Sequence, residues 1–155
     1  MEIEDLLASP AHVLAKLKAG NKKQALQDMA RRAAELSGLH ERAIFDVLLE
    51  RERLGTTGVG NGIAIPHGKL SDAKKMFGLF GRLEQPIDFD AIDEQPVDLV
   101  FLLLAPEGAG ADHLKALARV SRLLRDRAIC EKLRGTDQAD AIYALLTDGA
   151  HSHAA

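Results

Sequence analysis

The run PVDLVFLLLA, Pro96 to Ala105, limits the possible folds more than any other stretch of this chain. Its continuous apolar part, LVFLLLA from Leu99 to Ala105, is far shorter than the roughly 20 residues a membrane helix needs. A strand with one wet face would alternate apolar and polar residues, and this run does not. It therefore reads as a strand covered on both faces, which requires helices on either side of a sheet.

The rest of the chain supplies those layers. KKQALQDMARRAAEL (Lys22 to Leu36) repeats apolar residues at helical spacing behind a candidate Asn21 cap. ERAIFDVLLERERL (Glu41 to Leu54) places Ile44, Val47, Leu48 and Leu54 on one stripe until Gly55 stops it. ADHLKALARVSRLLRD (Ala111 to Asp126) and QADAIYALLTD (Gln138 to Asp148) are two further helices. HVLAKLKA (His12 to Ala19), GIAIPHG (Gly62 to Gly68) and FGLFGRL (Phe77 to Leu83) read as strands. The expectation is an α/β fold with a mixed β-sheet sandwiched between helices, in a single domain over residues 3–148. The last seven residues, 149–155 (GAHSHAA), read as a flexible C-terminal tail. A length of 155 residues suits one core, and no repeat or long linker divides it.

Twenty basic residues stand against 23 acidic ones, a formal charge of -3, with no basic run or aromatic-lined basic patch. That argues against nucleic acid as a partner and for a protein or a small anion. The acidic N-terminus is no signal peptide and no segment is long enough to insert into a membrane, so the expected location is cytoplasmic. Cys130 is the single cysteine, with no partner for a disulfide, and reads as a small core or surface residue in a reducing compartment.

The chemistry concentrates in GVGNGIAIPHG, Gly58 to Gly68. A dinucleotide fingerprint follows a strand and opens a helix, whereas here a helix precedes the glycines and Pro66 opposes helix just before His67. A Walker A loop fails as well, because five residues separate Gly62 from Gly68 and Leu70 follows Lys69. Two readings of the glycines remain: a plain tight turn, or a loop whose N–H groups point at a bound anion. His67 tips the balance, because a neutral imidazole has a lone pair able to attack phosphorus. Pro66 stiffens the backbone that carries it, and Gly68 leaves its approach uncrowded. Arg51, one helical turn before the loop, offers a forked contact to phosphate oxygens, and Thr56 or Thr57 offers a hydroxyl.

His113 lies in the first turn of a predicted helix, on the inward stripe with Leu117, Val120 and Leu124. It is either a satisfied core residue or a neutral ring donating to a phosphoryl group on His67. His12, His40, His151 and His153 read as surface or tail residues. The acidic stretch DFDAIDEQPVD (Asp88 to Asp98) contains Pro96 and no histidine, and reads as a solvated connection between strands rather than a metal loop. A zinc site on His67 and His113 lacks a third ligand at any legible spacing, so neither metal nor cofactor is expected.

RERLGTTGVGNGIAIPHGKL (Arg51 to Leu70), PIDFDAIDEQPVDLVFLLLAP (Pro86 to Pro106) and DHLKALARVSRLL (Asp112 to Leu124) together resemble the enzyme IIA proteins of the phosphoenolpyruvate-dependent phosphotransferase system. The nitrogen-regulatory IIA branch, related to the mannitol and fructose IIA domains, is the nearest in pattern. The resemblance covers nearly the whole chain, and EGAGA before Asp112 and the tail are its least familiar parts. It implies a type-2 IIA domain that accepts a phosphoryl group from an HPr-like carrier as tele-phosphohistidine on His67, with His113 as hydrogen-bonding neighbour. It further implies phosphate contacts from Arg51 and, by position in the motif, Thr57, Gly60 and Gly62. In that branch the phosphorylation state is read by partners such as a potassium transporter or a sensor kinase. A sugar-branch IIA that passes the group to a separate IIB, and a binding module that is never phosphorylated, are the alternatives.

Overall fold

In the computed structural model, which describes residues 1–152, the chain runs α1 (Ile3–Leu6), a 3-10 turn (Pro10–His12), β1 (Val13–Leu17), α2 (Lys22–Ser37), α3 (Glu41–Arg53), β2 (Gly58–Gly60), β3 (Ile63–Ala64), β4 (His67–Leu70), β5 (Phe77–Ile87), β6 (Val97–Pro106), α4 (Ala111–Leu124), α5 (Arg127–Arg134) and α6 (Ala139–Ser152). The apolar run is β6. It pairs antiparallel with β5 on one side, and on the other runs parallel to β3 and then to β4. β1 lies parallel beyond β5 and β2 antiparallel beyond β3, which completes a mixed six-stranded sheet.

The uninterrupted apolarity of β6 has a direct cause. Val100, Leu102 and Leu104 enter a core roofed by α2 and α3, with Leu26, Met29, Ile44 and Leu48. Leu99, Phe101, Leu103 and Ala105 point the other way, into a second core with Ile3, Leu6, Val120, Ile142 and Leu146 of α1, α4 and α6. Successive residues alternate between two dry faces, so polarity does not alternate. Burying each larger side chain contributes roughly 1.5–3 kcal/mol, which makes β6 the energetic centre of both layers.

Local chemistry sets the element ends. The Asn21 side chain accepts from Gln24 N at 2.8 Å to start α2, and Gly38 ends it at φ 78°. The stretch GIAIPHG is two short strands rather than one. Pro66 has no N–H to donate, although its carbonyl accepts from Leu103 N at 2.9 Å and keeps the chain on β6. α1, α5 and β2 are too short for periodicity to reveal.

Two expectations change. α6 continues through Ser152, so Gly149 to Ser152 are helical rather than frayed, and His151 Nε2 meets Glu4 Oε2 at 2.7 Å to tie that last turn to α1. His12 is half-buried, with Nδ1 2.8 Å from the Gly78 carbonyl oxygen and its ring 5.0 Å from that of Phe77. Cys130, read as a core or surface residue, is a core residue, buried in the second core. His40 is exposed, and His153 lies outside the described residues.

The fourth glycine of the motif, Gly68, is a packing requirement. A Cβ at Gly68 would overlap Val47 Cγ1 on α3, so the missing side chain lets α3 lie directly on β4. Gly68→Ala is expected to lose about 1–3 kcal/mol of stability, because Val47 is stiff in a helix and must turn or shift. Urea denaturation measures the loss. Adding Val47→Ala restores most of it if this contact is the cause, and an unchanged midpoint for Gly68→Ala alone would contradict the packing argument.

Candidate functional site

β4 begins with His67, paired in register with Leu103. Neighbours in register share a face, so the His67 ring lies on the α4 side while Gly68 faces α3. The first turn of α4 carries His113, whose ring centroid is 5.5 Å from that of His67, with the planes at 51°. Arg51 arrives from the last turn of α3.

The hydrogen bonds select one tautomer. His67 Nδ1 lies 2.8 Å from the Ile65 carbonyl oxygen, which can only accept, so Nδ1 carries the proton and Nε2 holds a lone pair. Arg51 Nε donates to that Nε2 at 3.3 Å, in agreement, while Arg51 Nη1 donates to the Gly55 carbonyl at 2.8 Å. Burial lowers the pKa of His67 and the Arg51 charge adds to this, against the Ile65 carbonyl and Glu52, which raise it. His113 is also buried and also lowered, by desolvation first and then by His67 and Lys69. Both rings are therefore neutral at pH 7. His113 Nδ1 has no hydrogen-bond partner among the described residues, and so the site contains a nucleophilic nitrogen, a guanidinium on it, and an unused imidazole nitrogen beside it.

His67, His113 and Arg51 are thus brought together, whereas Thr57, Gly60 and Gly62 serve the scaffold. Thr57 is buried, with its hydroxyl donating to Glu52 Oε2 and its N–H to Glu52 Oε1 at 3.0 Å. Thr56 donates to the Phe89 carbonyl at 2.9 Å. Gly60 at φ 104° and Gly62 at φ 81° turn the β2–β3 hairpin around Asn61, where a Cβ would meet Asp93 or Arg134 and Asp98. The Gly62 carbonyl accepts from Asp98 and Leu99 N–H groups. Leu99 is four residues along β6 from Leu103, which is about 13 Å from the His67 position at the rise of a strand. An anion floor made of these glycine amides is at the wrong end of β6.

The acidic stretch is a strand connection as expected. Asp93 accepts from Asn61 and Gln95 N–H groups, and Asp98 forms a two-pronged pair with Arg134, Nε to Oδ2 at 2.7 Å and Nη2 to Oδ1 at 2.9 Å. Among the described residues no third metal donor joins His67 and His113; the one group of converging donors is Glu2, Glu4 and His151. Sequence reasoning missed Glu52 and Lys22. Glu52 is 8% exposed and its Oε1 is 2.9 Å from Lys22 Nζ, which also lies 4.8 Å from the Phe89 ring centre. The signal was available, because Glu52 continues the four-residue spacing of the buried Ile44 and Leu48.

Comparison with known proteins places this architecture. Residues 7–149 match the family described as phosphoenolpyruvate-dependent sugar phosphotransferase system, EIIA 2, and the chain belongs to that family as a phosphotransferase-system component. It is 65% identical over 146 residues to a nitrogen regulatory protein of Bradyrhizobium diazoefficiens, covering 94% of this chain and 95% of the relative. A nitrogen regulatory protein of Escherichia coli is 46% identical over 129 residues, covering 83% and 79%. The crystal structure of nitrogen regulatory protein IIA-Ntr from Neisseria meningitidis superposes with a TM-score of 0.86 at 35% identity, covering 93% of this chain and 97% of that one. The mannitol IIA of Escherichia coli shares the fold at a TM-score of 0.76 and 22% identity, covering 88% and 96%. The mixed sheet between helices is the fold of both solved structures. Among the described residues no helix is long and apolar enough to cross a membrane.

Proposed function

We propose that the chain is a phosphohistidine carrier of the nitrogen-related phosphotransferase branch, loaded on His67 by an HPr-like carrier protein and acting on partner proteins through its phosphorylation state. The observation that carries this reading is the unprotonated Nε2 of His67, its proton held on Nδ1, with a guanidinium in contact with it. In the transfer, the Nε2 lone pair forms a bond to phosphorus while the bond from phosphorus to the carrier's nitrogen breaks, and that electron pair stays with the carrier. Nδ1 keeps its proton, and the Ile65 carbonyl stabilises the positive charge the ring gains. Arg51 Nε loses its acceptor as Nε2 is consumed and turns to a phosphoryl oxygen, and His113 supplies a neutral hydrogen-bond donor on the other side.

The surroundings suit a protein donor. Leu54, 82% exposed, follows Arg51 by three residues, and Leu114, 67% exposed, follows His113, so apolar side chains stand beside the acceptor. Loading adds up to about two negative charges at this surface, enough to alter docking of a partner that covers it. The relatives named as nitrogen regulatory proteins support nitrogen regulation as the setting; potassium homeostasis, with a potassium transporter or sensor kinase as the regulated class, is part of the same proposal and follows from the family resemblance of the motif.

Incubation with phosphoenolpyruvate, enzyme I and an HPr-like carrier is expected to add one acid-labile phosphoryl group by intact mass. No gain in mass would contradict the carrier reading. Rapid onward transfer to a purified IIB would favour the sugar branch over the regulatory one.

A further inference from the structure

Beneath the site lies a polar assembly that the transfer chemistry above does not use. Glu52 is a buried carboxylate in the last turn of α3, with a side chain 3% exposed, and Lys22 from the start of α2 pairs with it at 2.9 Å. Lys22 itself is held between Phe89 and, at 3.8 Å, Asp90. Both Glu52 oxygens grip Thr57, one by the hydroxyl and one by the backbone N–H. A buried ion pair of this kind is weak evidence for stability, since its desolvation cancels much of the attraction. A positioning role explains it better.

Two hydrogen-bonded routes lead from Glu52 to His67. In the first, the Thr57 carbonyl accepts from Ile65 N at 3.0 Å, and the Ile65 carbonyl accepts the Nδ1 proton of His67. In the second, Glu52 holds both ends of the 54–57 turn: its backbone carbonyl accepts from Gly55 N at 3.1 Å, and its side chain holds Thr57. The Gly55 carbonyl in turn holds Arg51 Nη1, which leaves Arg51 Nε aimed at His67 Nε2. One route sets the partner of each ring nitrogen.

We infer that Glu52, paired with Lys22, is the positioning residue of the phosphoryl acceptor: it orients the Ile65 carbonyl on Nδ1 and Arg51 on Nε2 at once. This rests on the carrier function proposed above. The charge of Glu52 also acts directly on His67, which gives the pair a signature that packing alone lacks. The other groups facing the ring are Arg51, His113 and, through His113, Lys69, and none of them changes in the variants below.

The test compares wild type, Glu52→Gln, Lys22→Met and, as a control for stability, Ile142→Val in the opposite core. Single-turnover phosphoryl uptake from the loaded HPr-like carrier is measured across pH, and 15N NMR of the imidazole follows the tautomer and titration of His67. Glu52→Gln is expected to slow uptake by about tenfold or more, since small errors in acceptor geometry cost this much, and to lower the His67 titration midpoint. Lys22→Met is expected to slow uptake as well but to raise that midpoint, because the negative carboxylate then stands uncompensated. Ile142→Val leaves rate and midpoint unchanged. Midpoints that stay fixed, or that move in the same direction in both variants, overturn the inference even where uptake slows. If Glu52→Gln does not fold, Lys22→Met alone carries the test through the sign of its shift. If wild type takes up no phosphoryl group but the His67 midpoints still move in opposite directions, the carrier function fails while the positioning of His67 stands.

Discussion

His67→Ala is expected to take up no phosphoryl group from the carrier, while His113→Ala is expected still to take up one, more slowly. The asymmetry follows from access and tautomer rather than residue type, since both positions are neutral histidines. His67 is half-buried and offers Nε2 with its lone pair fixed by the Ile65 bond on the opposite nitrogen. His113 is 7% exposed on the inner stripe of α4, and among the described residues no carbonyl fixes its Nδ1 and no arginine donates to its ring. It can support a group on His67 and cannot receive one in line from a bulky protein donor. Removing the His67 ring deletes its hydrogen bond to the Ile65 carbonyl and the one it accepts from Arg51, a loss of about 2–4 kcal/mol, and circular dichroism is expected to show the variant still folded, so that its failure is chemical. Intact mass after incubation with the phosphorylated carrier reads the result. A full phosphoryl gain on His67→Ala would move the acceptor elsewhere.

Arg51→Ala is expected to slow uptake on the order of 10²- to 10³-fold, the usual consequence of removing one preorganised donor to developing charge. Arg51 does two things at once, since Nη1 is anchored on the Gly55 carbonyl while Nε points at the acceptor nitrogen. Lysine cannot divide itself in that way, and Arg51→Lys is therefore expected to recover only part of the rate. Uptake by Arg51→Ala at the wild-type rate, measured by rapid quench, would show that the guanidinium has no part in the transfer.

The legible parts of this fold were those in which side-chain burial writes a period. β6 declares its two dry faces, and α2, α3 and α4 declare their inward stripes, which is why the mixed sheet between helices and the inward side of α4 that carries His113 follow from pattern, whereas the pairing of His113 with His67 was one of two readings until the family resemblance favoured it. α1 has four residues and β2 three, below the length at which any period repeats. The glycines were ambiguous for a physical reason, because a positive φ at Gly60 and Gly62 serves a hairpin turn and an anion nest equally well; only the register along β6 shows that they are far from His67. Gly68 was ambiguous in the same way, since close approach of a ligand and close approach of a helix both exclude a Cβ. Glu52 looked like one more charge in the helix ending ERERL, and its partner Lys22 is thirty residues earlier, so no local spacing reveals their pairing.

On the proposed function, Nε2 of His67 is the phosphoryl acceptor. The direct measurement is heteronuclear NMR of protein labelled with 15N in its histidines, before and after loading by phosphoenolpyruvate, enzyme I and an HPr-like carrier. The expected spectrum shows His67 with its proton on Nδ1 in the free protein and a phosphorus coupling to Nε2 after loading, with no coupling on His113. A phosphoryl group on Nδ1 of His67, or on any other side chain, would contradict the site geometry described here.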